Sequence, residues 1–237
     1  MHIIAWNIWM GGGSRIGEIF HFLAGRDADV LVLGEFQRGT TEPLIHRLQD
    51  AGWTHAAVSD PPGRTGGVAI ISKTELAPGK LPQNLNPFSF RYLPVRIPAQ
   101  NIELCAVYGP LQKDPFDKFW TAILEDLEAK SDQPVLVTGD FNSGEKCIDS
   151  PAPTLHCSKY FSNLSTIGYS DLWRAKWGAD SREYTWAGKV HPYRLDHAFG
   201  TRKVAERLRR CTYDHSVRDV GLSDHSLLSI ELDGQFA

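Results

Sequence analysis

The residues best suited to chemistry are polar side chains that end apolar runs. Asn7 follows Ile3-Ile4-Ala5-Trp6, Glu35 follows Val30-Leu31-Val32-Leu33-Gly34, and Asp140, with Asn142 two residues on, follows Val135-Leu136-Val137-Thr138-Gly139. Any one such acid or amide is an ordinary turn former after a strand. Three runs that each finish on a hard oxygen ligand point to a cation site, provided the strand ends lie side by side. A second group comes late in the chain: Tyr184-Thr185-Trp186, Arg194-Leu195-Asp196-His197 and Leu222-Ser223-Asp224-His225-Ser226. It adds two carboxylates and two imidazoles, the side chain that changes charge most readily near neutral pH.

Such a site needs elements that bring distant residues together. Short β-type runs recur at residues 2–6, 30–33, 68–71, 93–97, 102–107, 135–138, 194–199 and 226–232, most of them bounded by Gly, Pro, Asp or Asn. Several are apolar almost throughout, so both faces of those strands should be buried. Helical periodicity appears at 16–24, 41–51, 114–130 and 157–167, the second opened by Thr40, Thr41 and Glu42-Pro43 and the last stopped at Gly168. Phe116, Phe119, Trp120, Ile123, Leu124 and Leu127 make the third helix the clearest. The brief Pro98-Ala99-Gln100-Asn101 turn between two runs implies antiparallel pairing there. Two mixed sheets packed face to face with helices outside, an α/β four-layer sandwich, would bury such strands on both faces. The Pro/Gly-rich stretch 60–67 and the loop-like stretch 74–90 do not resemble linkers, so residues 1–237 are read as one domain.

Taken in order, Trp6-Asn7, Gly34-Glu35, Gly67-Val68-Ala69-Ile70, Val107-Tyr108, Gly139-Asp140-Phe141-Asn142, Arg194-Leu195-Asp196 and Ser223-Asp224-His225 span nearly the whole chain. This series resembles the motif set of the exonuclease–endonuclease–phosphatase superfamily, which holds exonuclease III, abasic-site endonucleases, deoxyribonuclease I and phosphatase relatives. The resemblance implies a deoxyribonuclease I-like fold and divalent-metal-dependent hydrolysis of phosphodiester bonds, with Mg²⁺ or Mn²⁺ as cofactor. It implies Glu35 as principal metal ligand, with Asn7 and Asp224 binding or orienting the same ion or its waters. Asp140 would accept a proton, and Asn142, on the same side of a strand-like segment, would orient phosphate or water. His225 would contact the scissile phosphate while Asp196 bonds its far ring nitrogen. Whether Asp140 or His225 is the general base stays open in the sequence.

Tyr108 reads either as a phosphate contact or as a core-edge tyrosine. Trp186 would stack on a base or sugar, or pack under Tyr193 and Phe199, and packing is favoured. In abasic-site endonucleases the tyrosine motif continues after a proline to an amide side chain. Here Leu111 stands after Gly109-Pro110 and the amide of Gln112 comes one residue late, which argues against efficient abasic-site incision.

With 25 Lys and Arg against 28 Asp and Glu, the net charge of −3 argues against a protein that coats nucleic acid by bulk electrostatics. The one concentrated basic run, Arg202-Lys203 with Arg207, Arg209 and Arg210, is either a solvated face or a track for a nucleic-acid strand. No apolar run approaches the roughly 20 residues of a membrane span. The start Met1-His2-Ile3 lacks a secretion pattern, so a cytoplasmic location without membrane contact is expected. Cys105, Cys147, Cys157 and Cys211 are scattered, and Cys147, His156 and Cys157 lack the close pair a zinc site uses. His191, His197 and His215 read as surface or strand-face histidines. The leading expectation is a DNA nuclease of exonuclease III type. The alternative is a phosphatase or phosphodiesterase for a small or lipid substrate such as an inositol phosphate or sphingomyelin. A third reading, a binding module that has lost catalysis, would leave gaps in the motif set, and none is found at Glu35, Asp140, Asn142, Asp196, Asp224 or His225.

Overall fold

Alternation of side chains along the strands decides the architecture. A computed structural model, which describes residues 1–111 and 116–234, contains strands β1 (His2–Asn7), β2 (Val30–Phe36), β3 (His55–Val58), β4 (Gly67–Ser72), β5 (Ala77–Pro78), β6 (Tyr92–Ile97) and β7 (Ile102–Tyr108). They are followed by β8 (Val135–Asp140), β9 (Tyr169–Asp171), β10 (Trp186–Ala187), β11 (Pro192–Tyr193), β12 (Asp196–Thr201), β13 (Leu208–Asp214) and β14 (Leu227–Leu232). One six-stranded sheet has the order β13-β14-β1-β2-β4-β3, a second the order β5-β6-β7-β8-β12-β9, and β10 and β11 form a small ribbon.

Residues on one face of each strand meet between the sheets: Ile3, Ala5, Val30, Val32, Val68 and Ile70 from the first pack with Leu104, Ala106, Leu136 and Ala198 from the second. Their chain neighbours point outward. Ile4, Trp6, Leu31 and Leu33 are covered by Ile19 and Leu23 of helix α1 (Ile16–Ala24) and by Leu44 and Leu48 of α2 (Glu42–Asp50). On the far side, Cys105, Val107, Val135, Val137 and Phe199 are covered by Phe119, Trp120, Ile123 and Leu127 of α3 (Phe116–Glu128) and by Phe161 and Leu164 of α4 (Ser158–Thr166). Four layers result, as the two-face burial of the strands requires.

Register carries the polar ends to one place. β1 and β2 are parallel with Asn7 opposite Gly34, β7 and β8 are parallel with Tyr108 opposite Asp140, and β12 runs antiparallel to β8 with Asp196 opposite Asp140. β6 and β7 form the expected antiparallel pair, joined by a tight turn in which Asn101 takes a left-handed conformation.

The sequence pattern missed β3, β5, β9, β10, β11 and β13. The reason is local: β5, β10 and β11 have two residues each, β9 has three, and β13 buries only Leu208 and Cys211 among exposed arginines. As an edge strand, β13 needs such charges to discourage pairing with another chain. The third helix begins at Phe116, and Asp114, where the pattern places its start, lies outside the described residues. All four cysteines are free thiols. Among the described residues, no helix is long and apolar enough to cross a membrane.

Leu104, fully buried between the sheets, tests the layering. Leu104→Ala is expected to cost about 2–5 kcal/mol in urea unfolding, through lost burial and a cavity that two sheets cannot close. Val58→Ala, on the exposed edge strand β3, should stay within about 0.5 kcal/mol.

Candidate active site

Backbone irregularities aim the polar ends out of the sheets. β2 carries a bulge between Gly34 and Phe36 in which Glu35 has φ 58°, and a bulge of this kind turns a side chain away from the regular alternation. In β8, Gly139 has φ 138°, and a β-carbon there would lie 2.1 Å from the Val107 carbonyl oxygen. Only glycine fits at that position, and Asp140 follows it at the strand end. The spacing of Asp140 and Asn142 had suggested that both side chains project from one side of a continuing strand. Instead β8 ends at Asp140 and Asn142 takes φ 48°. Its backbone N–H donates to Asp140 Oδ1 at 2.8 Å and its side-chain nitrogen to the Gly109 carbonyl at 2.8 Å.

Asn7 stands at the centre. Its side-chain nitrogen donates to Glu35 Oε1 at 3.1 Å and to Asp140 Oδ2 at 2.9 Å, while its oxygen accepts the Trp9 N–H at 2.9 Å. Tyr108 points its hydroxyl at Glu35 Oε1, at 3.4 Å, and the Met10 N–H donates to Glu35 Oε2 at 2.5 Å. On the opposite wall Asp196 Oδ2 lies 2.8 Å from His225 Nδ1, and His225 Nε2 faces Asp140 Oδ2 at 3.8 Å. The Trp186 indole N–H donates to Asp224 Oδ2 at 3.1 Å. Glu35, Tyr108, Asp140, Asn142, Trp186, Asp224 and His225 line one cavity of about 610 Å³.

Two expectations about substrate contacts change. Trp186 does lie near Tyr193, with ring centroids 5.9 Å apart, but Phe199 belongs to a separate cluster with Phe141 and Phe161 on the helix-covered face of the second sheet. The indole is therefore part of the cavity wall and a hydrogen-bond partner of Asp224. Arg207, Arg209 and Arg210 are not brought to the site. Arg210 pairs with Glu231, and Glu231 with His2 at the far end of β1, five residues or about 17 Å from Asn7. Arg209 and Arg210 are exposed beside Glu231, at 3.8 and 4.0 Å, and Arg207 bonds the Asp233 carbonyl at the same end. Gln112 lies outside the described residues.

Electrostatics separates the buried groups. Burial, together with Asp196, pushes the Asp140 carboxyl up toward neutrality against the pull of His225. Burial alone would strip His225 of its proton, but Asp196 and Asp140 overcome it and hold the imidazole well above its ordinary range. Burial beside Glu35 and Asp140 pushes the Tyr108 hydroxyl upward, so it remains a neutral donor. Asp224 Oδ1 is shut off from water and has no hydrogen-bond partner, a costly state for a carboxylate oxygen unless a cation meets it. Asp140, Asp196 and His225 also present ligand atoms within 4.8 Å of one another, a group that could hold a metal ion. With Glu35, this oxygen-rich donor set fits a hard divalent cation.

Residues 4–225 match the profile of the Endonuclease/Exonuclease/phosphatase family. The chain belongs to that family. An exodeoxyribonuclease of Streptococcus pneumoniae is 24% identical in an alignment that covers 98% of this chain and 100% of the relative. Among solved structures, a 3′ phosphatase, NExo, from Neisseria bound to a product DNA hairpin superposes with a TM-score of 0.83 at 23% identity, covering 99% of this chain and 100% of that one. An AP endonuclease from Archaeoglobus fulgidus gives a TM-score of 0.82 at 21% identity, with the same coverage. The fold is therefore the deoxyribonuclease I-like sandwich, and the family is one of metal-dependent phosphoesterases.

Sequence reasoning missed the framework behind this family site. Arg194, fully buried, donates from Nε to Asp149 Oδ1 at 2.6 Å and also bonds Asp171. Arg174, on helix α5 (Leu172–Trp177), closes the square with bonds of 2.6 Å to Asp149 and 3.1 Å to Asp171. Arg194 lies two residues before Asp196, and Asp149 seven after Asn142. The square thus fixes one wall of the site against the other. Arg15 was missed too; it bonds the carbonyls of Trp9 and Leu222, each two residues from a polar site residue. The only local signal for either was an arginine near a motif.

Burial raises the Asp149 pKa, but Arg194, His197 and Arg174 outweigh it and hold the carboxyl at about 2. A folded pKa below the unfolded value stabilises the protein fully above about pH 4, and the contribution is lost as pH falls through the folded value. Melting curves of wild type and Asp149→Asn should accordingly differ by about 2–3 kcal/mol at pH 6 and converge toward pH 2. A gap that is independent of pH would remove Asp149 ionisation as its source.

Proposed function

We propose that the chain is a divalent-metal-dependent DNA nuclease of exonuclease III type, using Mg²⁺ or Mn²⁺ to hydrolyse phosphodiester bonds. The observation that carries this reading is one cavity lined by Glu35, Asp140 and His225, in which His225 Nε2 faces Asp140 across 3.8 Å, while Asn7 bonds Glu35 and Asp140 from behind and Asp196 bonds His225. DNA is favoured as substrate by the full-length similarity to an exodeoxyribonuclease and by the DNA hairpin in the NExo structure.

Each residue then has a role. Glu35 and Asp224 would hold the cation, whose positive charge would offset the charge that builds on phosphate oxygens during attack. Asn7 orients Glu35 by its hydrogen bond. Asp196 Oδ2 and His225 Nδ1 are hydrogen-bonded at 2.8 Å, and in this reading they work as a proton-holding pair. Asp196 fixes Nδ1 and leaves the protonated Nε2 turned into the cavity as a donor to the scissile phosphate. Asp140 takes the proton of the attacking water, because its carboxyl is the one raised toward neutrality while His225 keeps its proton. Asn142 shapes the Asp140 turn, and Tyr108 offers a neutral hydroxyl to Glu35 or phosphate. Leu111 lines the cavity and supplies no amide, so abasic-site incision is secondary.

Purified protein should cut single- or double-stranded DNA in Mg²⁺ or Mn²⁺ and stop in EDTA. Glu35→Gln should lose at least about 10²-fold in rate and bind the metal more weakly in calorimetric titration. Asp196→Asn and His225→Ala should each lose roughly 10²-fold or more, with the double variant little worse than the worse single, since the two act as a unit. Rapid turnover of inositol phosphates or sphingomyelin with every DNA substrate left intact would replace the nuclease by a phosphatase.

A further inference from the structure

The segment that leaves Asn7 is built at the expense of backbone comfort. Trp9 and Met10 both have φ 52°, in the left-handed region that large side chains rarely enter, and Gly11, Gly12 and Gly13 follow with positive φ. Four contacts hold the strained turn. The Trp9 N–H reaches Asn7 Oδ1 at 2.9 Å, the Met10 N–H reaches Glu35 Oε2 at 2.5 Å, and the Trp9 carbonyl accepts from the Gly12 N–H at 3.1 Å and from Arg15 at 2.5 Å. The Arg15 guanidinium also lies over the Trp9 ring, 4.6 Å from its centroid. For all this anchoring the side chains are not used in the core. Trp9 is 40% exposed and Met10 62%, and both line the cavity that holds Asp140 and His225.

Glycine at either position would relieve the strain, so stability does not account for an indole there. One face of the ring meets a cation, and the remaining exposure opens on the cavity. The concentrated run of arginines sits at the other end of the sheet and does not supply a backbone grip at the site. Stacking on an aromatic ring is the other general way to hold a nucleic-acid strand, and it suits any base.

We propose that the Trp9 indole, pinned by Arg15, is a stacking platform for an unpaired nucleobase beside the scissile phosphate. The proposal rests on the DNA nuclease reading. It selects strand ends and single strands, where a base lies open without extrusion from a duplex.

The test compares wild type, Trp9→Ala, Trp9→Leu and Trp9→Phe as full-length proteins. Binding of a fluorescent single-stranded oligonucleotide is measured in EDTA by anisotropy, and cleavage in Mg²⁺ is measured on oligonucleotides with or without a base at the nucleotides flanking the cut. Trp9→Ala and Trp9→Leu should raise Kd and KM about tenfold, with kcat altered much less, and Trp9→Phe should recover most of the loss. Wild type should favour the substrate that carries its flanking bases, and Trp9→Ala should lose that preference. Melting temperatures of all four should agree within a few degrees, since Trp9 is not part of the core. Cleavage with Kd, KM and base preference indifferent to Trp9, or Leu serving as well as Phe, would overturn the platform and leave the nuclease standing. Trp9-dependent binding without any cleavage of DNA would leave the platform and overturn the nuclease. Neither binding nor cleavage would overturn both.

Discussion

Asn7 gives both hydrogens of its amide to carboxylates that belong to different sheets, Glu35 on β2 and Asp140 on β8. Both sheets end at this amide, and the arrangement of everything around it follows from what the position tolerates. Asp140 is buried and Asn7 itself is only 1% exposed, so each missing hydrogen bond would leave a polar group without water to replace it. An aspartate at position 7 would add a third negative charge, and a leucine would leave two carboxylates facing each other without a donor between them. A single donor such as serine could satisfy only one. The amide is the smallest side chain that bridges both, and its oxygen is left to take the Trp9 N–H.

The same economy governs the far wall. A carboxylate buried beside another carboxylate is raised toward its neutral form, as Asp140 is by burial and Asp196. Placing an imidazole between them changes the balance, because Asp196 can hold it charged at 2.8 Å while Asp140 stays 3.8 Å away. Burial and pairing then act in opposite directions on neighbouring groups, which is the usual way a site obtains one acid and one base at a single pH. Asp224 and Glu35 add further carboxylates to the cavity wall.

Much of this was legible in the order of residues. Apolar runs that end in Asn7, Glu35 and Asp140 mark strand ends, and runs that are apolar almost throughout already imply two covered faces and hence four layers. The pairing of Asp196 with His225 followed from the motif series. What could not be read depends on register or on backbone signs that residue type does not encode. The arginines of β13 pair through Glu231 to the start of β1, and nothing in their own sequence says which end of the sheet they occupy. Asn142 turns back because its φ is positive, a choice that asparagine permits but does not require. The Arg194, Asp149, Asp171 and Arg174 square joins residues as many as 45 positions apart, with no periodicity to reveal it. Trp186 was expected to pack, and it does so against Tyr193, but its N–H found a partner only because the ribbon of β10 and β11 brings it to Asp224.

Backbone strain collects at the same place. Of the seven non-glycine residues with positive φ among those described, Trp9, Met10, Glu35 and Asn142 line the cavity. Each such conformation costs on the order of 1–3 kcal/mol, and a protein of ordinary stability tolerates several only where neighbouring contacts over-determine them. Here the contacts are shared. The Met10 N–H bonds Glu35, the Trp9 N–H bonds Asn7, and the Asn142 N–H bonds Asp140, so each of these four either is a polar site residue or donates a hydrogen bond to one. Relaxing any of these turns would therefore release a carboxylate or amide from its position. The cores on either side of the sheets supply the stability, and the strain they tolerate keeps the oxygen atoms of the site close together before substrate arrives.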